Sequence, residues 1–339
     1  MNGVVQELSA GTSRTSDLMR AMVEGDGYAI RSIPFNEDID SPDELAAVAR
    51  ALIAKAKGRK AQGDGILPAN GFRPIFEHAI VCERGYPINF AMSEDVGRVA
   101  TRFQAKIPRP VQPASNKTLV DDSPESRLIR FCEQIVDKEL NTGSDVRYVI
   151  SEVNIIASAP DSREQPRHHD FQAYSDSELI RKPNASFMIP IDERGTLCGY
   201  PGSHKLVHAE NYLANRHIPV AKRYSKIRKM LDGVIDMNKM EKRELYFGTD
   251  EYCSFVDNFL HTGAANRMRI AISRIHFYVV REDSVPPTEY THMPSELVWD
   301  VTSKGVTSES IYERDERVED EMEDEVGKGK KRGRPRKGD

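Results

Sequence analysis

The apolar positions of this chain change their period near residue 147. Before it they recur every three and four residues. Ser41-Pro42-Asp43-Glu44 combines a capping serine, a proline in the first turn and an acid three residues after the serine, which together mark a helix start. Leu45, Val48, Ala49, Leu52 and Ile53 then follow at helical spacing. Ser123-Pro124-Glu125 repeats the signal and sets Leu128, Ile129, Phe131, Cys132 and Ile135 on one face. A shorter helix is predicted over 15–24, closed by Gly25-Asp26-Gly27 and followed by a strand at 28–34.

After residue 147 β-branched and aromatic residues dominate. Residues 148–156, 185–191 and 269–280 read as strands, 192–195 as a turn, and 252–260 as an apolar strand-like run. A charged segment, 205–245, reads as a helical insertion. Helices first and spaced strands afterwards predict an α+β fold in which helices buttress a β-barrel or sandwich. Beyond Trp299 the apolar residues disappear. Residues 313–325 are mostly acidic and 328–337 almost entirely Gly, Lys, Arg and Pro, so neither can bury enough apolar surface to fold alone. The predicted organisation is a flexible 1–12, one domain over 13–300 with its barrel core at about 145–280, and a disordered tail over 301–339.

Composition changes this picture little. The 339 residues, 39% of them hydrophobic, suffice for one large domain. Cys82, Cys132, Cys198 and Cys253 are scattered without a C-x-x-C pair, which points to a reducing compartment and away from structural zinc. The first residues lack the basic and apolar regions of a secretory signal, and no run of about eighteen apolar residues exists. An intracellular protein without a membrane partner is expected, and no pattern speaks to its oligomeric state.

Candidate chemistry sits in two segments. Gln165-Pro166-Arg167-His168-His169-Asp170 contains a His-x-Asp pair, and His261 lies far downstream with Arg269 behind it. In an extended segment His168 and Asp170 point to one side and His169 to the other, so His168 is the predicted ligand. Two imidazoles and one carboxylate suit non-haem Fe(II) with open coordination positions. Arg269 shares a strand face with Ala271 and Ser273 and is the predicted seat of a dicarboxylate co-substrate, with Arg274 on the opposite face.

Three motifs in order, Gln165…His168-His169-Asp170, Gly199-Tyr200-Pro201-Gly202-Ser203-His204-Lys205 and His261-x-Gly263-x-x-Asn266-x-x-Arg269-x-Ala271-x-Ser273, resemble the Fe(II)- and 2-oxoglutarate-dependent dioxygenases, nearest their phytanoyl-CoA-hydroxylase-like branch. The resemblance spans roughly residues 145–280. It implies a double-stranded β-helix of the jelly-roll or cupin type, with His168, Asp170 and His261 on iron and Arg269 and Ser273 at 2-oxoglutarate. It also implies O2-dependent hydroxylation of a C–H bond, releasing succinate and CO2. His204 and His208 are not expected to bind metal.

The tail adds a second theme. Lys330-Lys331-Arg332-Gly333-Arg334-Pro335-Arg336-Lys337 resembles an AT-hook, whose arginines enter a narrow A·T minor groove. Arg332, Gly333, Arg334, Pro335 and Arg336 are the predicted DNA contacts, and the basic run also fits a nuclear-import signal. The sequence therefore predicts a nuclear or DNA-tethered oxygenase of unnamed substrate. Its alternatives are a small-molecule hydroxylase carrying an incidental tail and a non-enzymatic DNA-binding protein on the same fold.

Overall fold

The computed structural model describes residues 14–60, 71–83, 86–92, 100–109, 122–172, 183–191, 193–284 and 290–303. The predicted flexible N-terminus, the acidic run and the AT-hook-like motif lie outside them.

Among the described residues twelve strands and six α-helices follow one another in a mixed order. Helix α1 (Asp17–Glu24) precedes β1 (Tyr28–Ser32) and α2 (Pro42–Lys60). Four short strands come next: β2 (Arg73–Pro74), β3 (His78–Val81), β4 (Pro87–Ala91) and β5 (Arg102–Lys106). Helix α3 (Pro124–Val136) leads into β6 (Tyr148–Ser158), β7 (Ala185–Pro190) and β8 (Gly195–Gly199). Helices α4 (Ser203–Asn215) and α5 (Val220–Leu231) precede β9 (Arg243–Phe247), β10 (Glu251–Val256), β11 (His261–Gly263) and β12 (Ile272–Arg281); α6 (Glu296–Ser303) comes last.

The capping serines behave as their sequence context requires. The hydroxyls of Ser16, Ser41 and Ser123 accept from the amides of Met19, Glu44 and Ser126, and the Glu44 carboxylate reaches back to the Asp40 amide. Gly27, with φ of +95°, turns the chain from α1 into β1 where a Cβ would strike His204 and Phe259.

A seven-stranded antiparallel sheet runs in the order β1-β10-β7-β12-β6-β5-β2, and a three-stranded sheet runs β11-β8-β9. His168 bridges His261 and so extends the smaller sheet by one residue. From β6 onward, with the His168 bridge counted as the second of eight, the chain places 1, 3, 6 and 8 (β6, β7, β10 and β12) in the large sheet and 2, 4, 5 and 7 (His168, β8, β9 and β11) in the small one. That alternation is a double-stranded β-helix.

The large sheet has two unlike faces. On one, Val153, Phe277 and Phe187 form a cross-strand row, beside Ile155, Ile275 and Ile189. This face packs under α1, α2 and α3 through Leu18, Met22, Leu45, Leu52, Leu128, Phe131 and Ile135 in one continuous core. The opposite face carries the rows Gln104-Ile156-Arg274-Pro190, Asn154-His276-Met188 and Glu152-Tyr278-Ser186 and forms the floor of the site.

Two expectations change. The last strand starts at Ile272 rather than at 269, because residues 268–270 are a bend. The charged segment resolves into α4 and α5, and its end, β9, belongs to the barrel. Strands β2 to β5 carried too few residues to show a period of two. Helices α4, α5 and α6 bury a second apolar cluster around Leu206, Ile227, Leu231, Leu260, Val298 and Val301. No helix among the described residues is long and apolar enough to cross a membrane.

Candidate metal centre

His168, Asp170 and His261 converge inside the barrel, each offering a ligand atom within 4.8 Å of the others. All three are buried, at 5%, 2% and 2% exposure. The meeting is built from backbone: the His168 amide donates to the His261 carbonyl and the His261 amide to the His168 carbonyl, both at 2.9 Å. Each ring is then set by the same local device. His168 Nδ1 lies 2.8 Å from the Pro166 carbonyl and His261 Nδ1 lies 3.0 Å from the Phe259 carbonyl, in each case two residues upstream. With the proton on Nδ1 donating to a carbonyl, Nε2 is left as a lone pair. Those Nε2 atoms lie 4.0 and 3.4 Å from Asp170 Oδ1.

The other carboxylate oxygen, Oδ2, accepts from Ser186 Oγ at 2.5 Å and faces His276 Nε2 at 3.4 Å. Burial alone would raise the Asp170 carboxyl, but the facing imidazoles of His261 and His276 outweigh it and hold the group well below the usual carboxylate range. Among the described residues its ion-pair partners are imidazoles only, with no Lys or Arg. Burial pushes His168 down to about 3, so that ring is neutral. An ionised carboxylate buried among rings of this kind is costly without a cation. The donor set of two nitrogens and one oxygen, with fixed lone pairs, fits ferrous iron, and open positions remain for further ligands.

The triad opens into a cavity of about 560 Å³. Its floor includes Gln104, Ile156, Met188, Arg274, His276 and Tyr278, and its rim includes Phe76, Phe90 and Met92. The Phe76 and Phe90 rings meet His168 edge-on at 5.0 and 6.2 Å between centroids. Hydrophobic edges thus flank the ligand.

Two arginines line this cavity, the exposed Arg73 and, on the floor beside His276, Arg274. Arg274 is the one set on β12. It is half-buried, and its Nε has no hydrogen-bond partner among the described residues. Burial pulls its guanidinium down to about 10, which leaves it charged at neutral pH. Arg269 does not reach the cavity: it is exposed in the bend before β12. Ser273 lies on β12 next to Arg274, hence on the helix-covered side of the sheet. Neither Arg269 nor Ser273 lines the cavity, and Arg269 never enters the strand whose alternation was meant to aim it.

His276, Ser186 and Arg274 escaped the sequence reading as site residues. The available signal was their alternation: Arg274, His276 and Tyr278 share one face. His204 is away from the triad, with Nε2 3.1 Å from the Val23 carbonyl. The Gly-Ser-His turn works through its serine, whose hydroxyl accepts from the Leu260 amide at 2.9 Å and so fixes the approach to His261. Gly263 follows on the same side as His261, where a Cβ would collide with Gln165 and Arg102. Arg102, fully buried, donates there to the carbonyls of Arg163 and Gly263 and to the Ser158 hydroxyl.

No protein-family model and no curated protein sequence matches the chain. Among solved structures it is similar to AviO1 from Streptomyces viridochromogenes Tue57, at 13% identity and a TM-score of 0.42, covering 80% of this chain and 96% of that one. It is also similar to the non-heme alpha ketoglutarate dependent carbocyclase SnoK from nogalamycin biosynthesis, at 11% identity and a TM-score of 0.42 over 86% of this chain and 96% of that one. EctD from S. alaskensis with bound Fe is similar at 13% identity and a TM-score of 0.39, over 77% and 74% of the two chains. Likeness at this level leaves the chemistry of the centre to its own residues.

Proposed function

We propose that the protein is an Fe(II)- and 2-oxoglutarate-dependent oxygenase that hydroxylates its substrate. The observation that carries this reading is the Arg274 guanidinium, whose Nε has no hydrogen-bond partner among the described residues, in the same cavity as the His168-Asp170-His261 triad. Metal ligands alone would serve many reactions. A cation beside them adds a seat for a carboxylate that reaches the metal with its other end.

When bound, iron with 2-oxoglutarate and O2 supplies the oxidant for a C–H bond, and succinate and CO2 are released with the hydroxylated product. The chain's own residues hold and shield. His168, Asp170 and His261 would hold the metal. Ser186 donates to Asp170 Oδ2, which His276 Nε2 faces, so Oδ1 would be free for the metal. Arg274 binds the far carboxylate of 2-oxoglutarate, and Phe76 and Phe90 keep water from the His168 side.

Anaerobic addition of Fe(II) and 2-oxoglutarate to the purified protein is expected to give a weak visible charge-transfer band. His168→Ala is expected to lose both the band and the metal. A full band in His168→Ala, or none in the wild type, would sink the reading.

The basic tail supports a further assignment: attachment to A·T-rich DNA through Arg332, Arg334 and Arg336, and with it a nuclear location. The support is the Arg-Gly-Arg-Pro core with basic flanks. A gel shift is expected to favour A·T-rich over G·C-rich duplex and to weaken with salt and with Arg334→Ala. Equal binding to both duplexes would reduce the tail to a generic polycation.

A further inference from the structure

The loop that brings His168 and Asp170 to the centre is gripped at three consecutive residues by three parts of the chain. His168 exchanges backbone hydrogen bonds with His261. His169 does the same with His292, at 3.1 and 2.8 Å. Arg167 is taken by α6. Its guanidinium carbon lies 3.9 Å over the centroid of Trp299, the only tryptophan of the chain, and 5.2 Å from the Tyr200 ring. Its Nη1 donates to the Thr302 hydroxyl at 2.7 Å and to the Trp299 carbonyl at 3.4 Å.

Helix α6 is itself seated from another direction. Leu297, Val298 and Val301 pack into the second apolar cluster with Leu206 and Leu260. Thr302 also returns a hydrogen bond to the Val298 carbonyl, which holds its oxygen toward Arg167. The helix is thus a rigid mount, and Arg167 is the point at which it meets the ligand loop. Between Gln165 and Asp170 the loop has no regular structure beyond the two bridges, so tertiary contacts must remove its freedom.

We infer that Arg167 is a positioning residue for the metal centre, and that Trp299 and Thr302 of α6 set the pose in which His168 and Asp170 present their donors. The inference rests on the metal-site reading above, but not on the identity of the co-substrate. A planar guanidinium suits the role because it stacks on indole while its edge donates, which a lysine cannot do. A carbon-only contact would fix position without fixing rotation of the loop.

The test reads Mn(II) affinity of the full chain by calorimetry, without 2-oxoglutarate. Arg167→Met and Trp299→Leu are each expected to weaken Mn(II) binding about tenfold, and Trp299→Phe to restore it to within about threefold of wild type. Val301→Ala trims the apolar packing on the other side of the same helix without removing it from its seat or touching the Arg167 contacts. It is expected to lower the melting temperature while leaving Mn(II) affinity within about twofold. Wild-type affinity in folded Arg167→Met overturns the inference. So does an equal loss of affinity in Val301→Ala, or a failure of Trp299→Phe to rescue. Should Trp299→Leu or Arg167→Met not fold, Arg167→Lys keeps charge and stem while losing the planar stack, and is judged by the same comparison. A wild-type protein that binds Mn(II) but never 2-oxoglutarate defeats the oxygenase proposal and leaves this one standing; one that binds no Mn(II) defeats both.

Discussion

Both faces of β12 lie inside the protein, yet their chemistry is opposite. Ile275, Phe277 and Val279 are wholly buried against the helices, and Phe277 stacks on Phe187 at 4.9 Å. Arg274, His276 and Tyr278, interleaved with them, face the cavity beside Asp170. On an ordinary one-sided sheet the polar face meets water, which satisfies it. Here the small sheet and the β3–β4 region enclose that face, so each polar group must be paired or kept for a ligand. Polar alternation on a covered strand therefore marks a site, where on an open strand it marks solvent.

The sharpest way to break this contrast is to cut each face in turn. Phe277→Ala removes a ring from the helix side and is expected to cost about 3–5 kcal/mol of stability, read by denaturant unfolding. If folded variant protein is recovered, its 2-oxoglutarate affinity should remain near wild type. Arg274→Met is expected to do the reverse. It should weaken 2-oxoglutarate binding by roughly 2–3 kcal/mol while leaving stability equal or higher, because it removes a half-buried charge that has no hydrogen bond at Nε among the described residues. A variant that loses stability and keeps the co-substrate would show that Arg274 belongs to the core.

Acid should sharpen the comparison at a second place. His204 and His208 of α4 are buried, and burial pushes their imidazoles down to about 3 and about 4. Both values lie below the unfolded value near 6.5, so the unfolded chain binds more protons in that interval. The stability they contribute is present above about pH 6.5 and falls as pH drops toward 4 and 3. Unfolding midpoints that do not decrease over that range would contradict their burial as neutral rings. The smallest effect belongs to Arg269→Ala, an exposed change expected to stay within about 0.5 kcal/mol and to leave 2-oxoglutarate binding untouched. A loss of co-substrate affinity there would return the carboxylate seat to the bend before β12.

Much of the scaffold was legible locally. Ser41-Pro42 and Ser123-Pro124 announced helices because caps act within one turn, and 148–156 and 185–191 announced strands by β-branched density. The His-x-Asp spacing placed His168 and Asp170 on one side of an extended segment, and the structure brings both to His261. Strands β2 to β5 were illegible, since two to five residues are too few to display a period. Arg167 was passed over because its partners, Trp299 and Thr302, lie in a distant helix that no local pattern connects to it.

The chain alone determined which side chains of the last strand share a face: Ser273 with Ile275, and Arg274 with His276. That follows from a period of two, which is a property of neighbouring residues. Only the tertiary structure decided which of those faces looks into the barrel and where the last strand begins. It also decided that Trp299 stacks on Arg167, beside His168 in the loop. These are settled by which sheet or helix covers a strand, and that depends on packing between segments far apart along the chain.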